Sequence, residues 1–109
     1  VNNRKNSIDG GFIVVPKRTL CCDEYRALKP TSKVVFHTLL TGFIRDKKKN
    51  PNNKVRMSIK QITEISGIGR TTVWRSIAAL EAADFLKTSK QGGLENNASE
   101  YEMNGRFLW

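Results

Sequence analysis

SIKQITEISGIGRTTVWRSIAAL, Ser58 to Leu80, decides the fold. Ser58 followed by Gln61 forms an S-x-x-Q capping box, a local signal for the start of a helix. Ile59, Ile62 and Ile65 then offer an apolar edge. Gly67 stands where that helix must stop, because glycine accepts the left-handed conformation a helix end needs, and Ile68 can plug the turn into the core. A second helix is expected over about 70–81, beginning near Gly69 or Arg70. At about 100° per residue, Val73, Ile77 and Leu80 share its core side. Thr71, Thr72, Arg75 and Ala79 lie on the opposite side, bordered by Ala78, and Trp74 falls at the boundary, where packing against the domain is expected. One long donor and two hydroxyls among small side chains pack poorly in a core and suit entry into a groove.

Working outward, TSKVVFHTLLTGFIR carries the longest apolar periodicity, with Phe36, Leu39, Leu40, Phe43 and Ile44 as its inward stripe. Pro30 fits the first turn of that helix. Before it, TLCCDEYRALKP reads as one short helix with Leu20, Tyr25 and Leu28 available for burial, and Phe12 to Val15 as a short β-rich run stopped by Pro16. RDKKKNPNNK, Arg45 to Lys54, is a basic loop with turn chemistry, followed by a brief strand at Val55 to Met57. Phe85 to Lys90 and Ser99 to Asn104 have strand character, and the Gly- and Asn-rich stretch between them reads as a hairpin tip. Residues 1–11 are expected to form a disordered N-terminal arm, and 12–109 a single domain excised from a longer protein. The terminal Phe107 to Trp109 either caps the core or marks a severed interface.

Composition narrows the function. Of 109 residues, 19 are Lys or Arg and 10 are acidic, and the resulting +9 favours polyanionic partners. No apolar run approaches the roughly 20 residues of a membrane span, and no signal-peptide core opens the chain. The adjacent Cys21 and Cys22 would make a strained disulfide and are too few for a zinc site, which favours a reducing cytoplasm. His37, the single histidine, cannot build a metal site alone. There is no Walker-type glycine loop, no metal-spaced His/Cys cluster and no H-E-x-x-H, and Asp23 with Glu24 reads as a solvated pair. No enzyme activity, cofactor or metal is therefore expected.

The order helix, helix, turn, helix, β-hairpin resembles winged helix-turn-helix DNA-binding domains, a mainly α fold with a three-helix core and a small β-hairpin wing. The resemblance covers roughly Thr31 to Asn104 and is strongest over ITEISGIGRTTVWRSIAALEAADFLKT. Gly69 stands where the family often has a capping Ser, and Asp84 where it often has Gly, although Asp tolerates the left-handed region. GGFIVVP and LKPTSKVVFHTLL are similar to the amino-terminal domains of phage, prophage and plasmid replication initiators. That resemblance implies origin binding by the winged helix and recruitment of replication machinery by a separate carboxy-terminal region.

The expected partner is double-stranded DNA, with the 70–81 helix in the major groove and the wing beside it. Base reading is assigned to Thr71, Thr72, Arg75 and Ala79, since Arg can donate two hydrogen bonds to guanine and threonine methyls can meet thymine. Phosphate contact is assigned to Ser58, Lys60 and Arg70 around the hairpin and to Lys47, Lys48, Lys49, Lys54 and Arg56 in and after the basic loop. Lys87, Lys90 and Gln91 are assigned the same role in the wing, where Glu95 opposes close contact along the whole hairpin. Transcriptional regulation with the same module, and a protein-interaction adaptor, are the alternatives. Monomers on direct repeats and a dimer on a palindrome are equally compatible with the sequence.

Overall fold

The computed structural model describes residues 11–91 and 97–109. Residues 1–10 of the expected arm and most of the wing tip, including Glu95, lie outside the described residues. Two short helices, α1 (Lys17–Cys21) and α2 (Asp23–Arg26), lead to α3 (Pro30–Thr41). Strand β1 (Lys54–Met57), α4 (Ile59–Ser66) and α5 (Arg70–Ala82) follow, then β2 (Leu86–Lys90), β3 (Ser99–Met103) and a 3-10 turn at Gly105–Phe107. This is a winged helix-turn-helix architecture, with α3, α4 and α5 as the three-helix core and β2 and β3 as the wing.

Local chemistry sets the helix ends. Ser58 Oγ accepts from the Gln61 N–H at 3.1 Å, and Gln61 Oε1 accepts from the Ser58 N–H at 2.9 Å, so the capping box is complete. Gly67 closes α4 at φ 76°. Asp84 leaves α5 at φ 65°, the left-handed exit foreseen for that position. Pro30 occupies the first turn of α3, and Lys29 before it is extended, as a residue preceding proline prefers. α3 is capped by Gly42, which lies close under β1: a Cβ there would stand 2.8 Å from Met57 Cε.

The three strands form one antiparallel sheet in the order β1-β3-β2. Val55, Met57, Leu86, Ser99, Tyr101 and Met103 are buried on its inner face. The intervening Lys54, Arg56, Lys87, Glu100 and Glu102 therefore lie on the outer face, turned away from the helices. The register of β2 against β3 slips after Thr88, so that Lys90 rather than Ser89 stands opposite Glu100. Ser89 is the bulged residue, and its hydroxyl donates to the Glu100 carbonyl at 3.1 Å.

Val35, Phe36 and Leu39 of α3, Ile62 of α4, and Val73 and Leu80 of α5 meet Phe85, Tyr101 and Leu108 in a fully buried core. Phe85 stacks on Phe107 with ring centroids 4.0 Å apart and takes the edge of Phe36 at 5.3 Å. Phe107 and Leu108 thus close the core, while Trp109 is half-buried against Phe43.

Several expectations are corrected. Phe12 to Val15 forms no strand; the segment runs irregularly into α1, with Phe12 76% exposed and no strand partner among the described residues. The TLCCDEYRALKP helix is two helices, broken where Cys22 is extended. Leu20 is exposed, and Thr19 takes the inward position because its hydroxyl donates to the Phe107 carbonyl at 2.9 Å. Ile44 is exposed because α3 has already ended at Gly42. Ile65 is exposed because each step of three residues falls about 60° short of a full turn, and two such steps rotate it off the stripe. The strand expected at Val55 to Met57 does form, from Lys54, and it joins the β-hairpin as a third strand, since β1 pairs with β3 from Lys54↔Glu102 to Met57↔Ser99.

Candidate nucleic-acid interface

α5 divides as its periodicity requires. Val73, Ser76, Ile77 and Leu80 are buried, while Thr71, Arg75, Ala78 and Ala79 are exposed and Thr72 is half-buried. Arg75 has no hydrogen bond or ion pair with any of the described residues, so its guanidinium is available to a ligand. The packing of α5 against α3 and α4 holds the backbone beneath it. Trp74 keeps 45% of its surface exposed and so packs only in part against the domain. Arg70 begins the helix after Gly69, which caps it without a side-chain hydrogen bond.

The residues assigned to phosphate contact fall into separate places. Lys60 is exposed on the first turn of α4, close in sequence to the helix-turn-helix face. Ser58 is not a surface donor: it is buried and its oxygen is engaged in the cap. Lys54 pairs with Glu100 at 3.6 Å and Lys87 with Glu102 at 3.8 Å across the outer face of the sheet, where Arg56 stands opposite Glu100. Lys90 shares that face beyond the bulge, and Gln91 Nε2 donates weakly to Ser99 Oγ at 3.5 Å.

Lys47, Lys48 and Lys49 are exposed in the loop that enters β1 at Lys54, beside Glu102, at the end of the β1–β3 ladder away from Ser99. Among the described residues, the basic loop and the Lys90 end of β2 therefore lie at opposite ends of the sheet. The loop is also more ordered than its composition suggests. Asn50 is buried and donates to the carbonyls of Ile44 and Lys54 at 3.1 and 2.8 Å, while accepting from the Lys54 N–H at 2.8 Å. Arg45 and Lys47 lie over the Trp109 ring, 4.3 and 4.9 Å from its centroid.

No group of three or more His, Cys, Asp or Glu is placed to hold a metal among the described residues. Nor is any of their helices long and apolar enough to cross a membrane. His37 Nε2 sits 2.9 Å from the Tyr25 hydroxyl, and burial, then the charge of Lys33, lowers its pKa. Glu24 is held below the ordinary carboxylate value by a backbone N–H and by Arg106.

Sequence reading missed one concave feature on this side of the molecule. A groove of about 540 Å³ runs between the start of α3 and one flank of α5, with Thr72, Arg75 and Ala79 on its α5 wall. Ser32 and Ser76, the buried serines that also line it, carried no local signal because they sit on different helices.

No family model matches this chain, and no curated protein matches it. Two solved structures share its fold. One, described as the N-terminal domain of a DNA-binding protein, is 17% identical, with a TM-score of 0.57 over 94% of this chain and 84% of that one. The other, described as the structure of a Rep–DNA complex, is 18% identical, with a TM-score of 0.56 over 94% of this chain and 85% of that one. At such identities the likeness establishes a shared fold alone.

Proposed function

We propose that this chain is a sequence-specific duplex-DNA-binding domain, and that it binds origin DNA in replication initiation. The observation that carries the reading is the outer face of α5: an unpaired Arg75 among Thr71, Thr72, Ala78 and Ala79, on a helix held rigidly from behind. Such a face is narrow enough for a major groove, and Arg75 can donate two hydrogen bonds to one guanine. The formal charge of +9 adds sequence-independent attraction to phosphate. Origin binding is favoured over transcriptional control because one structural neighbour is a Rep protein bound to DNA and the other a DNA-binding protein's N-terminal domain. In this reading the protein is a cytoplasmic binding module rather than an enzyme, and replication machinery is engaged by other parts of the initiator.

Selection of binding sites from a pool of random duplexes tests the proposal. The expected result is enrichment of a defined site whose preference changes with Arg75→Ala. Failure to enrich any site, with no binding to any duplex at low salt, overturns it. An enriched site lying in promoters and absent from replication origins would retain DNA binding and replace the origin role.

A further inference from the structure

The two tryptophans of the chain stand in opposite settings. Trp109 is packed: Phe43 is tilted against it at 6.3 Å, and Arg45 and Lys47 lie over its ring at 4.3 and 4.9 Å. Trp74 is 45% exposed, and among the described residues no aromatic ring or cation covers its indole and no acceptor takes its N–H. An indole gains most when its face is buried and its N–H bonded, which is why tryptophan concentrates where a partner arrives.

The helix period sets the place of Trp74 on α5. Val73, Ile77 and Leu80 are turned to the core, and Thr72, Arg75 and Ala79 wall the groove between α3 and α5. At about 100° per residue, Trp74 projects from the other flank. Glu81, seven residues on, falls within about 20° of the same line, roughly 10 Å nearer the end of the helix. Its carboxylate accepts from the Thr88 N–H of β2 at 3.4 Å, so this flank is the one turned to the wing. Around Trp74 on it are Arg70 and Thr71 a turn before and Ala78 a turn after, all exposed. No other large apolar side chain of α5 is exposed, so the surface lacks the apolar surround that a docking protein requires.

With α5 in the major groove and the wing beside it, one sugar–phosphate strand passes between the two, because each strand of a duplex divides the major groove from the minor. Trp74 stands on that side of α5. We infer that Trp74 grips this strand: the indole face packs on a deoxyribose and the N–H donates to the adjoining phosphate. An indole N–H only donates and a phosphate oxygen accepts, so the two are matched without any change of protonation. The contact fixes the rotation of α5 about its axis without reading a base, which is the role backbone contacts have in duplex recognition. This inference rests on the duplex-binding reading above and adds to it a contact that a count of cations does not disclose.

The test follows Trp74 fluorescence while a labelled duplex from the random-site selection is titrated, with anisotropy of the label reporting binding separately. Trp109→Phe leaves Trp74 as the single tryptophan; if that variant unfolds, the difference between the unaltered protein and Trp74→Phe isolates the same signal. At saturation the emission should change and quenching by acrylamide should be lost. Trp74→Phe keeps an aromatic face and drops the donor, and it should weaken binding to every duplex about tenfold with site preference unchanged. Single methylphosphonates along each strand should reveal one phosphate whose neutralisation weakens the unaltered protein and leaves Trp74→Phe unaffected. Far-UV dichroism and thermal melting verify the fold of each variant. A duplex that binds without altering the emission or quenching of Trp74 overturns the contact and leaves the DNA-binding reading intact. An unaltered phosphate profile in Trp74→Phe does the same, and a changed site preference assigns the indole to bases and equally ends the backbone contact. If the unaltered protein binds no duplex, both readings fall together.

Discussion

The outer face of α5 and the outer face of the sheet are both exposed and both carry cations, yet they differ in what those cations face. On α5, Arg75 stands alone among threonines and alanines. On the sheet, Lys54 and Lys87 lie within 3.6 and 3.8 Å of Glu100 and Glu102. The difference separates charge from availability. A count of Lys and Arg weighs both faces alike, whereas a polyanion must displace the acids of the sheet before it gains anything there. An exposed ion pair contributes only about 0–1 kcal/mol to stability, so these pairs matter less for holding the wing together than for screening it.

The largest effect should come from the unpaired side. Arg75→Ala is expected to cost about 1–3 kcal/mol in discrimination between the selected site and a variant with its contacted guanine replaced. Competition titrations measure this, and an unchanged preference would remove Arg75 from the reading face. A stability change of about 1 kcal/mol should follow Ser58→Ala, because the capping box starts the helix on which α5 packs. Urea unfolding reports it, and an unchanged midpoint would mean that the cap contributes nothing to the support of α5.

The paired side should respond less. Lys54→Gln with Lys87→Gln should lower affinity for all duplexes by less than about tenfold and flatten the salt dependence by less than about two counterions. Altered site preference from this pair would erase the distinction between the two faces.

The smallest effect belongs to His37. Its folded-state pKa lies below the ordinary 6.5, chiefly through burial, so the folded chain binds fewer protons than the unfolded chain as pH falls through 6.5. Stability from this group is complete above 6.5 and declines as pH drops toward the folded value, where the buried ring must take on charge beside Lys33. His37→Gln should flatten the pH dependence of the melting temperature between 6.5 and the folded value; an unaltered slope would assign it to the carboxylates.

How much of this was legible in the sequence depends on the distance between partners. The α4–α5 hairpin was readable because its determinants are local: a cap answered three residues later, a left-handed glycine, and an apolar repeat at helical spacing. The exposure of Ile65 was also contained in that repeat, through arithmetic that an apolar edge conceals. The strand at Val55 to Met57 was readable but its place in the sheet was not, since it finds its partner only after α4, α5 and β2 have been laid down. Thr19 resembles any polar residue of a short helix until the Phe107 carbonyl arrives beside it. Asn50 similarly reads as solvated loop, although its three hydrogen bonds tie the loop into β1. Of the candidate site, the α5 face was periodic and therefore visible, while the groove required two helices to be brought together.

The slip at Ser89 has a consequence for charge. Without it, strict alternation would set Ser89 opposite Glu100 and turn Lys90 toward the inner face beside Ser99. One inserted residue acts as a half-period phase shift and returns Lys90 to the outside of the wing. The side of the wing on which its last lysine stands is thus written as a count of residues, and a deletion or insertion in β2 would move that charge across the sheet without changing a single side chain.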